Sequence, residues 1–184
     1  MFSYQINEDT QLRLLEYRYD QELYDLIDHN RDNLREWLSW VDGMRSAQDT
    51  KSFIGRTRKQ WADHEGFTAG IFYKDAICGI IGFNSVNWRQ KHISIGYWLG
   101  QQFQGKGIIT QACAALVDHA FQEMNLHRVE IRTAVENFKS RAVPERLGFK
   151  EEGIARQSAW LYDQFIDHVV YGMLAEEWKA RPVK

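Results

Sequence analysis

Apolar and polar positions alternate from Thr10 to Leu15, which predicts a first strand. The period then changes: from Asp20 to about Leu38, the residues Leu23, Leu26, Ile27, Leu34 and Leu38 recur at helical spacing, and a second helix is expected from Ala47 to Trp61 with Ser46 or Asp49 near its start. The next segment, FTAGIFYKDAICGIIGFNSV, holds two short apolar runs around Lys74-Asp75, a hairpin signal, and HISIGYWL sets Ile93, Ile95, Tyr97 and Leu99 against Ser94, Gly96 and Trp98. Three consecutive antiparallel strands are expected there. Ile109, Ala112, Cys113, Leu116, Val117, Ala120, Phe121 and Met124 fall on one face of a further helix. RVEIRTAV reads as a strand, and SRAVPERLGF as a short helix with Pro144 in or near its first turn, ended by Gly148 in a left-handed conformation with Phe149 folding back. ARQSAWLYDQFIDHVVYGML supplies two strands around a polar turn near Asp163, then a short helical end.

Composition narrows the classes. At 184 residues the chain is expected to form one domain spanning 1–184. With 23 Lys+Arg against 25 Asp+Glu there is no basic excess, so no direct nucleic-acid partner is expected. The first twenty residues lack the apolar run of a signal peptide, and no stretch approaches the ~18 apolar residues of a membrane span, so no membrane partner and a cytoplasmic location are expected. Cys78 and Cys113 sit in no C-x-x-C and near no cluster of ligands, so neither a disulfide framework nor a metal is expected. Seven Trp among 14% aromatic residues suit a lined pocket, although core filling is their commoner use.

The candidate chemistry centres on WLGQQFQGKGIITQA. Gly100 to Lys106 follows the nucleotide-binding pattern G-x-x-x-x-G-K-[ST] and fails at Gly107, where a magnesium-holding hydroxyl belongs. Its preceding strand closes an antiparallel series, whereas such a loop normally follows a parallel strand. The dinucleotide fingerprint fails as well, because Thr110 stands where a third glycine belongs. What survives is a metal-free anion cradle of backbone N–H groups at a helix N-terminus, against the plainer reading of a tight turn.

Gln102-Phe-Gln-Gly105-Lys-Gly107 resembles the Q-x-x-G-x-G acetyl-CoA loop of the GNAT superfamily of N-acetyltransferases, and the wider stretch IGYWLGQQFQGKGIIT resembles its RimJ/RimL-type branch, which acetylates ribosomal-protein N-termini. Asn137-x-x-Ser140 with ERLGF (Glu145 to Phe149) resembles the branch's second cofactor motif, and NRDNLREWLSW (Asn30 to Trp40) its tryptophan-bearing segment. The resemblance implies an α/β (α+β) fold: a mixed, mostly antiparallel central sheet of about seven strands, with helices on both faces and central strands splayed to admit the pantetheine arm. It also implies that backbone amides from Gln104 through Gly105, Lys106 and Gly107 to Ile108 hold the pyrophosphate, that Gln102 belongs to the cofactor loop, and that Trp98 and Leu99 pair with pantetheine amides. Lys106 either adds charge to the phosphates or is a solvated cation.

The implied reaction is direct acetyl transfer from acetyl-CoA to a primary amine, most naturally the N-terminal α-amine of a protein such as a ribosomal protein. Ser140, near the departing sulfur in the family, is the candidate proton donor, and Asn137 the residue that orients the cofactor. Each has a competing use as a helix cap. Many relatives read A-E-I-G-Y on the central strand, where Ser94 here replaces the glutamate. His92, on the same strand face, has a suitable intrinsic pKa, while a solvent-facing histidine and proton loss through water stay open. Trp40, Ser94 and Tyr162 are acceptor-site candidates, with Trp37 equally suited to the core. A polyamine or antibiotic acetyltransferase, or a noncatalytic acyl-CoA-binding sensor, would carry the same cofactor motifs. The oligomeric state stays open, a homodimer included.

Overall fold

The computed structural model describes residues 3–181. Eight strands form one sheet in the order β1-β2-β3-β4-β5-β6-β8-β7, with β1 Ser3–Gln5, β2 Thr10–Leu14, β3 Phe67–Tyr73, β4 Ala76–Asn87, β5 His92–Leu99, β6 Arg128–Ala134, β7 Lys150–Leu161 and β8 Gln164–Leu174. The helices are α1 Asp20–His29, α2 Arg31–Arg35, α3 Ala47–Ala62, α4 Ile108–Gln122, α5 Phe138–Arg146 and α6 Ala175–Lys179. The strand beyond the expected seven is Ser3–Gln5, a three-residue exposed edge paired antiparallel with Gln11–Arg13. It is too short to announce itself by alternation.

Pairing is antiparallel for β1–β2, β2–β3, β6–β8 and β7–β8, and parallel for β5–β6. Lys74 and Asp75 both have left-handed backbones (φ 50° and 65°), the conformation a tight two-residue hairpin requires, so β3 runs directly into β4. The parallel ladder covers His92–Ile95 opposite Arg128–Ile131, although β5 continues to Leu99 and β6 to Ala134.

The chain divides into two compact units. The first comprises the residues up to Gly82 together with Tyr97–Ala112. Its core gathers Leu23, Leu26 and Ile27 of α1, Leu34 of α2, Ile54 of α3, and Phe72, Ile77 and Ile80 of the β3–β4 hairpin. The expected helix from Asp20 to Leu38 is broken at Asn30, because the buried Asn30 amide bonds Leu26 O (2.9 Å) instead of leaving that carbonyl to the helix ladder. The apolar spacing continues through Leu34 and Leu38, so periodicity does not reveal the break.

The second unit comprises Phe83–Gly96 and the residues from Cys113 onward. Ile93, Ile95, Val117, Val129, Ile131 and Met173 are all buried in it, and Trp178 of α6 packs on Phe121 while its indole N–H donates to Asp118 (2.6 Å). Pro144 is not in the first turn of α5, as the sequence suggested, but buried two residues before its end. The helix closes soon after it on Gly148 (φ 78°), where Phe149 N–H bonds back to Pro144 O (3.0 Å).

Candidate functional site

The glycine loop lies wholly in the first unit. After β5, Gln101–Phe103 makes a single 3-10 turn, Gln104 is extended, and Gly105 and Gly107 take φ 76° and 73° before α4 begins at Ile108. A Cβ at Gly105 would meet nothing within 4 Å, and one at Gly107 only Gln111 Nε2 at 3.7 Å. Space is therefore available, and what demands glycine is the left-handed backbone. The Gln111 N–H bonds back to Gly107 O (3.0 Å), while helix geometry leaves the first-turn amides ahead of it without intrahelical partners. They are donors for an anion, in the positive end of the helix dipole.

Lys106 reaches from this loop to Tyr73 and Phe103, its Nζ 5.0 and 5.7 Å from the two ring centroids. A cleft of about 400 Å³ lies beside it, lined by Asn7, Glu8, Asp9, Thr10, Tyr73, Lys106, Ile108 and Gln111. Trp98 stacks at a tilt on Trp40 (centroids 6.0 Å apart), so this acceptor-site candidate and this cofactor candidate touch. Leu99 is buried, and its backbone runs so close to β4 that a side chain at Gly79 would collide with the Trp98 carbonyl. Gly100 N–H donates to Cys78 O (2.8 Å). The side-chain oxygen of Gln102 lies near Gly100, 3.1 Å from where a Cβ would stand.

Sequence reasoning missed the loop's anchor. Asn30, 4% exposed, accepts the Gln101 N–H on Oδ1 (2.7 Å) while its Nδ2 holds Leu26 O. One amide thus ties the end of α1 to the first residue of the 3-10 turn. A polar residue inside an apolar helical stripe was the available signal.

Asn137 and Ser140 lie in the second unit, and there the capping question resolves. Asn137 Oδ1 accepts the Ser140 N–H (3.1 Å) as the N-cap of α5, so the Ser140 hydroxyl is not the cap. Tyr162 occupies the β7–β8 turn with a left-handed backbone (φ 57°).

Ser94 is half-buried on β5, and its partner in the parallel ladder is Glu130. Residues opposite one another share a sheet face, so the face that lacks a glutamate on β5 carries one on β6. Glu130 is 6% exposed and accepts from Arg128 (2.9 Å) and Arg132 (2.5 Å), while Arg128 also makes a two-pronged contact with Glu152 on β7. Burial works to raise the Glu130 pKa, but the two guanidiniums outweigh it and hold the carboxyl below its ordinary range. Gly172 of β8, directly opposite Glu130, leaves room for the network, since a Cβ there would meet the side-chain tips of Glu152 and Arg128. Nothing in RVEIRTAV alone marks Glu130, since only the register sets it against Ser94.

Neither cysteine offers a nucleophile. Both are fully buried, and desolvation pushes each thiol up to about 12. Among the described residues, no group of three or more His, Cys, Asp or Glu is arranged to hold a metal ion, and no helix is long and apolar enough to cross a membrane.

Comparison with known proteins gives a consistent picture. The family model described as "Acetyltransferase (GNAT) domain" matches residues 11–150. A Bacillus subtilis (strain 168) protein provisionally named ribosomal N-acetyltransferase YdaF is 41% identical over 98% of this chain and 99% of its own length. The ribosomal-protein-serine acetyltransferase of Escherichia coli (strain K12) is 32% identical over 93% of this chain and 96% of its own. Among solved structures, the microcin C7 self-immunity acetyltransferase MccE with acetyl-CoA and AMP superposes with a TM-score of 0.89 at 31% identity, covering 92% of this chain and 94% of that one. RimL, the ribosomal L7/L12 α-N-protein acetyltransferase, in complex with coenzyme A reaches 0.91 at 26% identity, covering 95% and 99%.

Proposed function

The chain belongs to the GNAT acetyltransferase family, and from that membership we propose that it carries acetyl from acetyl-CoA directly to the N-terminal α-amine of a protein, with a ribosomal protein as the acceptor class. The chain is an acyltransferase of GNAT type; the donor and acceptor are the proposed part. The observation that carries the reading is the glycine loop: two left-handed glycines leading into the first turn of α4. That is a pyrophosphate cradle made of backbone amides, and solved relatives hold coenzyme A or acetyl-CoA.

In this reading the amides from Gly105 to Ile108 take the pyrophosphate, the Gln104 N–H expected to join them being already given to Gln101 O (3.2 Å), with Lys106 adding charge, and Gln102 shapes the loop. The β5 end at Trp98 and Leu99, beyond the β5–β6 ladder, pairs with the pantetheine amides. Ser140 gives a hydrogen bond or proton to the sulfur as the C–S bond breaks, and Asn137 acts by fixing the helix turn that presents it. Trp40, Ser94 and Tyr162 border the acceptor. The thiols support direct transfer, since two buried groups at about 12 are poor candidates for an acetyl-cysteine intermediate. We take residues 1–184 as a single catalytic domain working in the cytoplasm.

An α-amine suits the site better than a lysine. With a pKa near 8 it is about one-tenth neutral at pH 7, whereas a lysine near 10.4 is neutral about once in a few thousand molecules. A second reading, a small-molecule amine such as a polyamine or an aminated antibiotic, is favoured by the likeness to MccE. Incubation of cell extract with labelled acetyl-CoA and the enzyme, followed by mass spectrometry of proteins and small metabolites, separates the two. Label on protein N-termini is expected. Label confined to small amines replaces the acceptor class, and no turnover of any amine makes the protein an acyl-CoA sensor.

A further inference from the structure

An amine that attacks a thioester must first lose a proton, and Ser94 cannot take it. The second unit holds another candidate two residues away on the same strand face. His92 Nε2 is buried and makes no hydrogen bond among the described residues, yet it lies 3.6 Å from Glu130 Oε2. The side chain as a whole is 29% exposed, so the imidazole has one nitrogen near a carboxylate and a surface that water reaches.

We propose that His92 and Glu130 form the proton-accepting pair of this enzyme, with His92 receiving the proton of the acceptor ammonium and Glu130 as the positioning residue that orients the ring and balances its charge. This deepens the amine-acetyltransferase reading and rests on it. A neutral imidazole with its hydrogen on Nε2, directed at Glu130, leaves the Nδ1 lone pair as acceptor. The acceptor N–H bond breaks, the proton passes through water to Nδ1, and the freed amine lone pair forms the N–C bond to the acetyl carbon. The C–S bond breaks, the nitrogen gives up a second proton that reaches the departing sulfur, so that an amide forms and CoA leaves as the thiol, and the imidazolium returns its proton to solvent.

Glu130 itself is the wrong acceptor, because Arg128 and Arg132 keep it ionised and weakly basic. Its charge is still available to His92. Arg128 is shared with Glu152 of β7, and Arg132, half exposed, is screened by solvent. The other titratable groups around this network are Glu177 of α6, which acts on Arg128 and Glu152, and His168 of β8, which burial and Arg132 hold below the ordinary histidine pKa. Neither replaces Glu130 as the counter-charge at Nε2.

The test pairs an NMR reading of the ring with a pH–rate profile. In the intact protein, the His92 ring nitrogens observed by NMR are expected to show the hydrogen on Nε2, and that preference should be lost in Glu130→Gln, because the carboxylate facing Nε2 has been removed. The low-pH limb of kcat/KM for an N-terminal peptide should change in the same variant. His92→Gln should lose that limb and roughly 100-fold in kcat with the acetyl-CoA KM unchanged, and Glu130→Asp should restore part of the wild-type profile. Should Glu130→Gln not fold, Glu130→Asp and His92→Gln carry both measurements. A His92 ring whose hydrogen placement is indifferent to residue 130, or a His92→Gln enzyme with wild-type kcat and pH profile, overturns the pair while leaving the acetyltransferase intact. A wild-type protein that acetylates no amine at any pH overturns the reading beneath it as well.

Discussion

The glycine loop of the first unit and the charged face of the second are built from opposite materials. In the loop, function resides in backbone: Gly105 and Gly107 supply conformation, and the donors are main-chain amides. On the face, backbone is ordinary strand, and everything distinctive is side chain: His92, Arg128, Glu130, Arg132 and Glu152, with Gly172 serving by having none. Backbone chemistry is insensitive to side-chain identity and intolerant of changed dihedrals. Side-chain chemistry has the reverse sensitivities.

That contrast can be broken most directly at the loop. Gly107→Val forces a β-branched residue to φ 73°, and acetyl-CoA affinity measured by calorimetry should fall about 100-fold in a folded protein. Lys106→Ala, which changes only a side chain, should cost no more than about tenfold, with the loss fading at high salt. The reverse ranking would move the cradle's function from backbone to the Lys106 charge.

In the second unit Ser140→Ala should lower kcat by about tenfold or more and leave acetyl-CoA binding nearly unchanged, since a hydrogen bond to a departing thiolate strengthens in the transition state. Thermal stability should hold, because Asn137 carries the cap. Asn137→Ala should instead lower unfolding free energy by about 1 kcal/mol in denaturant titration. Equal loss of stability in both variants would reduce Ser140 to structure.

A finer effect concerns acid. The folded Glu130 pKa is depressed, so its contribution to stability is present above the unfolded value near 4.3 and is lost as pH falls through the folded value. Between about pH 5 and 3 the Tm of the wild type should therefore fall more steeply than that of Glu130→Gln. Parallel curves would mean that the arginines contribute no net protection of the carboxylate. The smallest effect is expected for Cys78→Ala with Cys113→Ala, which should leave turnover intact, and a trapped acetyl-cysteine would overturn direct transfer.

The same division explains what the sequence could show. Seven of the strands and the helix after the loop announce themselves by period, because each buries one face. The loop is legible because a conformational demand for glycine is written as glycine. The break at Asn30 is not legible, since Leu34 and Leu38 keep the helical spacing across it and the bond to Gln101 is between residues far apart in the chain. Pro144 was expected near a helix start, where its missing N–H is harmless, and the structure places it near the helix end instead, just ahead of Gly148. Glu130 stayed hidden because a charged residue alternating with Val129 and Ile131 is what any half-buried strand shows. Its meaning depends on the β5–β6 register, which no local pattern encodes.

Asn30 also has an evolutionary consequence. Its position asks for a donor and an acceptor on one short, uncharged group, buried between Leu26 O and the Gln101 N–H. Aspartate keeps the acceptor but sets a buried charge against a carbonyl, leucine keeps the shape and loses both bonds, and glutamine has the right group on too long an arm. Few single steps lead away from asparagine there without leaving an orphaned polar group. Mutational drift should therefore spare this helix-end residue while the solvent-facing positions around it wander.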